Sequence, residues 1–138
     1  MYSNTIIALL GFIGWALCLL LLMEVIRSWL VLTGQRAAND FTPDNANLST
    51  FMQRLARAHA NCVEGLPIFG GLLLVATLTG QSSVTDGTAL IFLAARIGQS
   101  VIHLTSVTPS AVKARFLFFT VQLMFAVFWC WGLLMAMI

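Results

Sequence analysis

The chain consists almost entirely of long apolar segments, which charged residues interrupt only rarely. These segments cover about residues 5–33, 51–78, 87–107 and 110–138. A helix needs about 20 apolar residues to cross the hydrocarbon core of a bilayer, so each segment is long enough to cross once. Only 9% of the residues are charged, against about 25% in soluble domains. The sequence therefore predicts an all-α integral membrane protein, a single four-helix domain over residues 1–138, and excludes a soluble enzyme.

The few charges and cysteines narrow the possible partners. The formal net charge is +2, and no basic run or patch suggests binding to nucleic acid. Cys18, Cys62 and Cys130 lie far apart, with neither the spacing of a disulfide framework nor that of a metal site. We expect no metal, and we predict that each cysteine is a buried small apolar residue.

The positive charges near the helix ends predict the orientation in the membrane. Arg36, Arg54 and Arg57 flank the first loop, and Lys113 and Arg115 flank the third. The two termini and the second loop carry no lysine or arginine. Positively charged loops stay in the cytoplasm, so we expect loops 1 and 3 there and both termini outside. The sequence carries no retention or targeting signal, which favours a bacterial inner membrane.

On two of the predicted helices the polar residues fall on one side. At about 100° per residue, those of the second segment share an arc of about 80°, and those of the third are similarly close. A charged side chain that faces lipid at the bilayer centre costs about 2.5–3.5 kcal/mol. We therefore expect the two stripes to face each other or a polar cavity. The residues are Arg54, Arg57, Asn61 and Glu64 on the second segment, and Arg96, Gln99 and His103 on the third.

Two local features predict details of the helices. Glu24 and Arg27 are three residues apart in the first segment, so their side chains share a helix face and can pair. Pro67 lies inside the second segment, where it can kink the helix or loosen its hydrogen bonds.

The buried charges have two interpretations. In one, Glu64 neutralises Arg57 or Arg96 within a structural network. In the other, which we favour, the surplus positive charge binds an anionic ligand, because guanidinium groups bind carboxylates with two parallel hydrogen bonds. A haem held by His59 and His103, or a transporter with a coupling carboxylate, is a weaker alternative. The positively charged residues at the predicted cytoplasmic end are Arg36, Arg54, Arg57, Arg96, Lys113 and Arg115, and the negatively charged ones are Asp40, Asp44 and Glu64.

The second segment also carries an ordered set of polar residues that is improbable in a membrane helix. Its sequence RLARAHANCVEGLPIF, over residues 54–69, resembles the signature of the MAPEG family, the membrane-associated proteins in eicosanoid and glutathione metabolism. The pattern R-x-x-R-A-H-x-N-x-x-E-x-x-P-x-F is met by Arg54, Arg57, Ala58, His59, Asn61, Glu64, Pro67 and Phe69. TGQR over 33–36, F-x-P-D over 41–44, Arg96 and Arg115 extend the resemblance along the chain.

The resemblance implies a homotrimer that binds glutathione between adjacent protomers near the cytoplasmic face. By position, Arg57, Asn61 and Glu64 would hold the charged ends of glutathione. Arg115 matches the arginine that stabilises the glutathione thiolate, so it is the predicted catalytic residue. The other predicted glutathione-binding residues are Arg36, Arg54, His59, Arg96 and His103.

The implied function is a membrane-embedded, glutathione-dependent transferase or peroxidase that acts on apolar electrophiles or lipid hydroperoxides. Its partners would be the lipid bilayer, further copies of the chain and an apolar substrate. Four residues depart from the family pattern, since Ala60, Gly65, His103 and Phe119 stand where members often have a basic residue or a tyrosine. The alternative is therefore a non-catalytic trimer that binds a lipid or another anion in the same basic pocket.

Overall fold

The computed structural model describes all residues from Met1 to Ile138, and the chain is helical with no strands. Four spans are long and apolar enough to cross a membrane, which confirms the predicted all-α architecture. The helices are α1 (Asn4–Leu32), α2 (Thr50–Gly65), α3 (Gly71–Leu78), α4 (Asp86–Thr105) and α5 (Pro109–Met137). Helices α2 and α3 belong to one span, Thr50–Leu78, and a π-helical turn, Leu66–Gly70, joins them.

Serine or threonine side chains cap the N-termini of the helices that begin three of the spans. The hydroxyls of Ser3 and Ser49 accept hydrogen bonds from backbone N–H groups three residues further on, at the starts of α1 and α2. Thr108 does the same before α5, where Pro109 occupies the first helical position. These residues satisfy donors that a helix start leaves free.

The π-helical turn follows from Pro67. Proline has no N–H, so it cannot donate to the carbonyl four residues earlier. The backbone widens here, and the N–H of Gly71 bonds to the carbonyl of Leu66, five residues back. The predicted loosening of the second span at Pro67 is confirmed.

An aromatic cluster forms the centre of the bundle. The rings of Phe12, Phe69 and Trp129 all pack on Phe92, with centroid distances of 5.2–5.6 Å. The indole N–H of Trp129 donates to the hydroxyl of Thr88 at 2.8 Å. Each span contributes one or more of these buried rings, so the cluster fixes the four spans against one another.

Many large apolar side chains lie on the outside of the bundle instead of in this core. The cysteines follow the same division, because Cys62 is buried whereas Cys18 and Cys130 are exposed. The prediction that all three are buried is wrong for those two. In a bilayer the surroundings are themselves apolar, so hydrophobic character alone does not assign a residue to the core.

At the end of the bundle where the chain begins, α1 is tied to α4. The backbone N–H and the hydroxyl of Thr5 donate to Asp86 Oδ1, at 2.8 and 2.6 Å. The hydroxyl of Thr5 also lies 2.7 Å from that of Thr85. Thr5 and Thr85 are fully buried, so these hydrogen bonds are internal to the bundle.

At the other end, the first loop folds back on α1 through Arg27. The guanidinium donates from Nε and Nη2 to Asn45 Oδ1, at 3.1 and 2.6 Å, and pairs with Glu24 at 3.2 Å, as predicted. Asn45 is buried with a positive φ of 55°, and its Nδ2 donates to the carbonyl of Met52. Beside it, Asp44 accepts from the Thr42 hydroxyl at 2.7 Å and from a backbone N–H at 3.2 Å.

Candidate functional site

A basic cavity of about 360 Å³ opens where α2 and α5 begin and α4 ends. We call it the arginine cavity. Two of its arginines are three positions apart along α2, within about one helical turn. The third lies on the second turn of α5, and a histidine comes from the last turn of α4. The lining residues are Thr50, Gln53, Arg54, Arg57, His103, Val107, Val112 and Arg115.

The three arginines of this cavity differ in how many hydrogen-bond or ion-pair partners their guanidinium groups have within the chain. Arg54 donates from Nε to the carbonyl of Leu104 at 2.9 Å, which is one of the carbonyls that the end of α4 leaves free. Arg57 is exposed and takes part in neither ion pair of the chain. Arg115 is half-buried, and its buried Nε has no hydrogen-bond partner. Two guanidinium groups therefore keep donors free at one cavity, which suits an anion.

A second cavity of about 240 Å³ lies further along α2, and we call it the Glu64 cavity. It carries one carboxylate, one guanidinium, two carboxamides and an apolar wall. The lining residues are Asn61, Glu64, Gly65, Ile68, Phe69, Arg96, Gln99, Phe119 and Leu123. A cavity that combines a few charged and polar groups with an apolar wall is typical of sites for small ligands.

Arg96 is the most unusual residue of the Glu64 cavity, because it is only 2% exposed and has no carboxylate partner. Its guanidinium carbon lies 5.3 Å from the ring centroid of Phe12 and 5.2 Å from that of Phe69. Nη1 donates to the carbonyl of Asn61 at 3.5 Å, whereas the buried Nε and Nη2 have no acceptor. A Cβ on Gly65 would lie 3.0 Å from Nη2, so the guanidinium fills the space that a side chain there would need.

Hydrogen bonds connect the polar residues of neighbouring helices. Asn61 Nδ2, on α2, lies 3.4 Å from His103 Nδ1, on α4, and this contact joins the two cavities. Gln122 on α5 donates to Gln99 Oε1 at 3.0 Å. The predicted stripes of the second and third spans therefore meet where Asn61 contacts His103, whereas Arg57 and Glu64 of the second stripe are exposed on the single chain.

The interpretation in which Glu64 neutralises Arg57 or Arg96 in a structural network does not hold within one chain. The two ion pairs are Glu24–Arg27 and Arg36–Asp40, so Glu64 neutralises neither Arg57 nor Arg96. Its carboxylate is exposed on the single chain.

Two of the predicted ligand residues lie apart from both cavities. Arg36 pairs with Asp40 at 3.2 Å and donates to the carbonyl of Asn47 at 2.7 Å, beside a different crevice. His59 is half-buried and lines neither cavity, in keeping with its different angle on the helix. His103 lines the arginine cavity and His59 does not. The two histidines therefore do not share that cavity, as the ligation of a haem there would need.

Sequence reasoning missed two polar residues of the arginine cavity, Thr50 and Gln53. The spacing of Gln53 and Arg57 was a usable signal, because residues four apart share a helix face. Thr50 is the first residue of α2, and a threonine at a helix start is ordinarily explained by capping.

Four apolar spans with adjoining cationic and mixed-charge cavities define a helical membrane protein. The chain matches the MAPEG family over residues 6–135, and it belongs to that family. Membership supports a membrane function related to glutathione or eicosanoid metabolism. No curated protein and no solved structure matches the chain.

Proposed function

We propose that the protein is a glutathione-dependent transferase or peroxidase of the membrane, acting on apolar electrophiles or lipid hydroperoxides. The observation that carries the proposal is the arginine cavity, where Arg57 and Arg115 have donors that the chain itself does not use. Glutathione presents two carboxylates and a thiol to such a cavity.

The two cavities together match the charges of glutathione. Besides its carboxylates and thiol, the tripeptide carries one ammonium group. Glu64 is the one carboxylate that lines either cavity, and it has no cationic partner in the chain, so it suits the ammonium. Asn61 joins the cavities through His103, which places both within reach of one extended ligand. Arg54, Arg57 and Arg96 supply guanidinium groups for the carboxylates.

Arg115 is the proposed catalytic residue, because a cation beside a thiol lowers the thiol pKa and favours the thiolate. The Nε of Arg115 is buried without a partner, and charge interactions are stronger where water is excluded. Bound glutathione supplies the nucleophilic sulfur, and the apolar second substrate arrives through the bilayer.

A homotrimer is part of the proposal. Arg57, Asn61 and Glu64 are exposed on a single chain, on one side of α2. Exposing such groups to lipid costs about 2.5–3.5 kcal/mol per charge at the bilayer centre, so a second copy that covers them would stabilise the assembly. Arg36 and His59 would then reach the ligand from a neighbouring protomer or a second helix face.

The proposed orientation has loops 1 and 3 in the cytoplasm of a bacterial inner membrane. The arginine cavity opens at this end, where α2 and α5 begin. It would then face the compartment that holds glutathione.

The first experiment is equilibrium binding of glutathione to the detergent-purified protein, with Arg57→Ala and Lys113→Ala compared. Both variants remove one positive charge near the same membrane end, but Lys113 lines neither cavity. Losing hydrogen bonds to a charged group costs about 1.5–3 kcal/mol, so Arg57→Ala should weaken binding about 10- to 100-fold. Lys113→Ala should change it less than about threefold. Equal effects, or no binding at millimolar glutathione, would refute the proposal.

The second candidate is a non-catalytic trimer that binds a lipid or another anion. It is favoured by the lack of any tyrosine in either cavity, since the one tyrosine is Tyr2 at the other membrane end. Turnover of an aryl halide and of cumene hydroperoxide, with and without glutathione, separates the candidates. Binding without thiol-dependent turnover would support the second.

A further inference from the structure

Gln122 on α5 holds the side chain of Gln99 on α4, and a backbone carbonyl fixes the direction of this contact. The Nε2 of Gln122 donates to the carbonyl oxygen of Phe118 and to Gln99 Oε1, both at 3.0 Å. A carbonyl oxygen only accepts, so the Gln122 atom beside it must be the amide nitrogen. That nitrogen only donates, so the Gln99 atom that it contacts must be the oxygen.

The reversed orientation of the two carboxamides is disfavoured. It would place Gln122 Oε1 where Nε2 now lies, 3.0 Å from the carbonyl oxygen of Phe118, and two acceptors repel each other. It would also move the amide nitrogen to the present position of Oε1, which is buried and has no partner. Buried N–H groups without acceptors are costly. Gln122 is fully buried, so water cannot relieve either contact.

The contact leaves the amide nitrogen as the group that Gln99 can offer to the Glu64 cavity. Gln99 lines this cavity, and its Nε2 has no partner within the chain. Arg96, three positions earlier on α4, lines the same cavity and has buried donors without acceptors. The α4 side of the cavity therefore offers N–H donors, whereas α2 contributes the carboxylate of Glu64.

We infer that Gln122 is a positioning residue, which holds the Gln99 carboxamide so that its nitrogen donates to a carbonyl or carboxylate oxygen of the ligand in the Glu64 cavity. Gln122 acts through Gln99, since it lines neither cavity itself. The identity of the ligand as glutathione rests on the proposed function, but the orientation of the carboxamide does not.

The first test measures the exchange of the glutamine side-chain amide protons with water, by ¹⁵N NMR of the detergent-solubilised protein without ligand. Spectra of Gln99→Met and Gln122→Met assign the two signals. We expect the Nε2 protons of Gln99 to exchange at least about tenfold faster than those of Gln122, because only the latter are hydrogen-bonded within the chain. Equal protection of both groups would overturn the inference whether or not glutathione binds.

The second test is a double-mutant cycle on glutathione affinity, with Gln99→Met, Gln122→Met and the pair. Gln99→Met should weaken binding about tenfold, as expected for one hydrogen bond to a charged group. Gln122→Met should weaken binding at least about threefold in the unmodified protein and less than about twofold in the Gln99→Met background. An equal effect in both backgrounds would mean that Gln122 does not act through Gln99, which contradicts the inference.

The matched control is Thr88→Val, which removes another hydrogen bond between the same two helices. The Thr88 hydroxyl accepts from Trp129 Nε1 at 2.8 Å, and Thr88 lines neither cavity. This variant should change glutathione affinity by less than about twofold. Equal weakening by Thr88→Val and Gln122→Met would mean that Gln122 only packs α4 against α5, which overturns its positioning role.

The two tests separate this inference from the proposed function. If the unmodified protein does not bind glutathione, the proposed function fails, and the exchange measurement decides the orientation of Gln99. Circular dichroism of each variant confirms that the helices remain formed.

Discussion

Arg96→Met should make the bundle more stable while weakening ligand binding. The guanidinium of Arg96 is buried, and its Nε and Nη2 lack acceptors. An unsatisfied buried donor costs about 1–3 kcal/mol, so the two together cost roughly 4 kcal/mol. The opposing interactions with the rings of Phe12 and Phe69 are worth about 0.5–2 kcal/mol each.

The remaining bond, from Nη1 to the carbonyl of Asn61, is long at 3.5 Å and adds little. Removing the guanidinium should therefore raise the free energy of unfolding by about 1–2 kcal/mol. Methionine keeps the length and apolar character of the stem, so little packing is lost.

The assay is reversible unfolding in mixed micelles of increasing SDS fraction, followed by tryptophan fluorescence. The matched control is Arg27→Met, because the guanidinium of Arg27 is bonded to Asn45, Glu24 and the carbonyl of Thr42. We expect this control to lower the free energy of unfolding by about 2–3 kcal/mol. Glutathione at a hundred times its dissociation constant should add about 2.7 kcal/mol to the unmodified protein, and less to Arg96→Met.

A fall of more than about 1 kcal/mol in Arg96→Met without ligand would refute this reasoning. Such a result would mean that the guanidinium of Arg96 is satisfied in the folded protein and stabilises it, as the guanidinium of Arg27 does.

Three further predictions concern the glycine at the site and the first loop. Gly65→Ala places a Cβ 3.0 Å from the Arg96 guanidinium, so calorimetric titration should show glutathione binding about tenfold weaker; Gly71→Ala, whose Cβ meets nothing within 4 Å, should bind normally. Asn45→Ala loses the bonds to Arg27 and to a backbone carbonyl, and SDS unfolding should show a loss of about 2–3 kcal/mol. The Thr42 hydroxyl and a backbone N–H hold the pKa of Asp44 below its ordinary value, so the support this carboxylate gives the loop is present at neutral pH and is lost as pH falls below the ordinary Asp range and through the lowered pKa. Hydrogen exchange of the Ala46 amide, corrected for its intrinsic pH dependence, should show reduced protection at that acidic pH and, in Asp44→Asn, already at neutral pH.

The fold could be predicted from the sequence because bilayer thickness and backbone chemistry leave few choices. Long apolar segments give the four spans, and the missing N–H of Pro67 gives the π-helical turn. The burial of Arg96 also follows from the cost of leaving its charge in lipid, whereas Glu64 is exposed on the single chain.

The site could be predicted only as a group of residues on one end and one side of two helices. Sequence spacing located Arg57, His103 and Arg115 near one another, but not the division into two cavities. The separation of Arg36 from both cavities depends on the fold of the first loop, where Asp40 and Asn47 occupy it. The approach of Arg96 to Gly65 is likewise a contact between helices, which no pattern within one helix encodes.

The joint between Thr5 and Asp86 bears on how the protein is assembled during synthesis. Helix α4 is the least apolar span, with a mean hydropathy of 1.3 against 2.7 for α1, and it carries Arg96. A helix of this kind enters the bilayer poorly alone, but α1 is made first and offers a buried partner for its first turn, 81 residues earlier in the chain. We therefore expect the removal of residues 1–5 to disturb the insertion of α4, because it deletes the hydrogen bonds that Thr5 makes to Asp86.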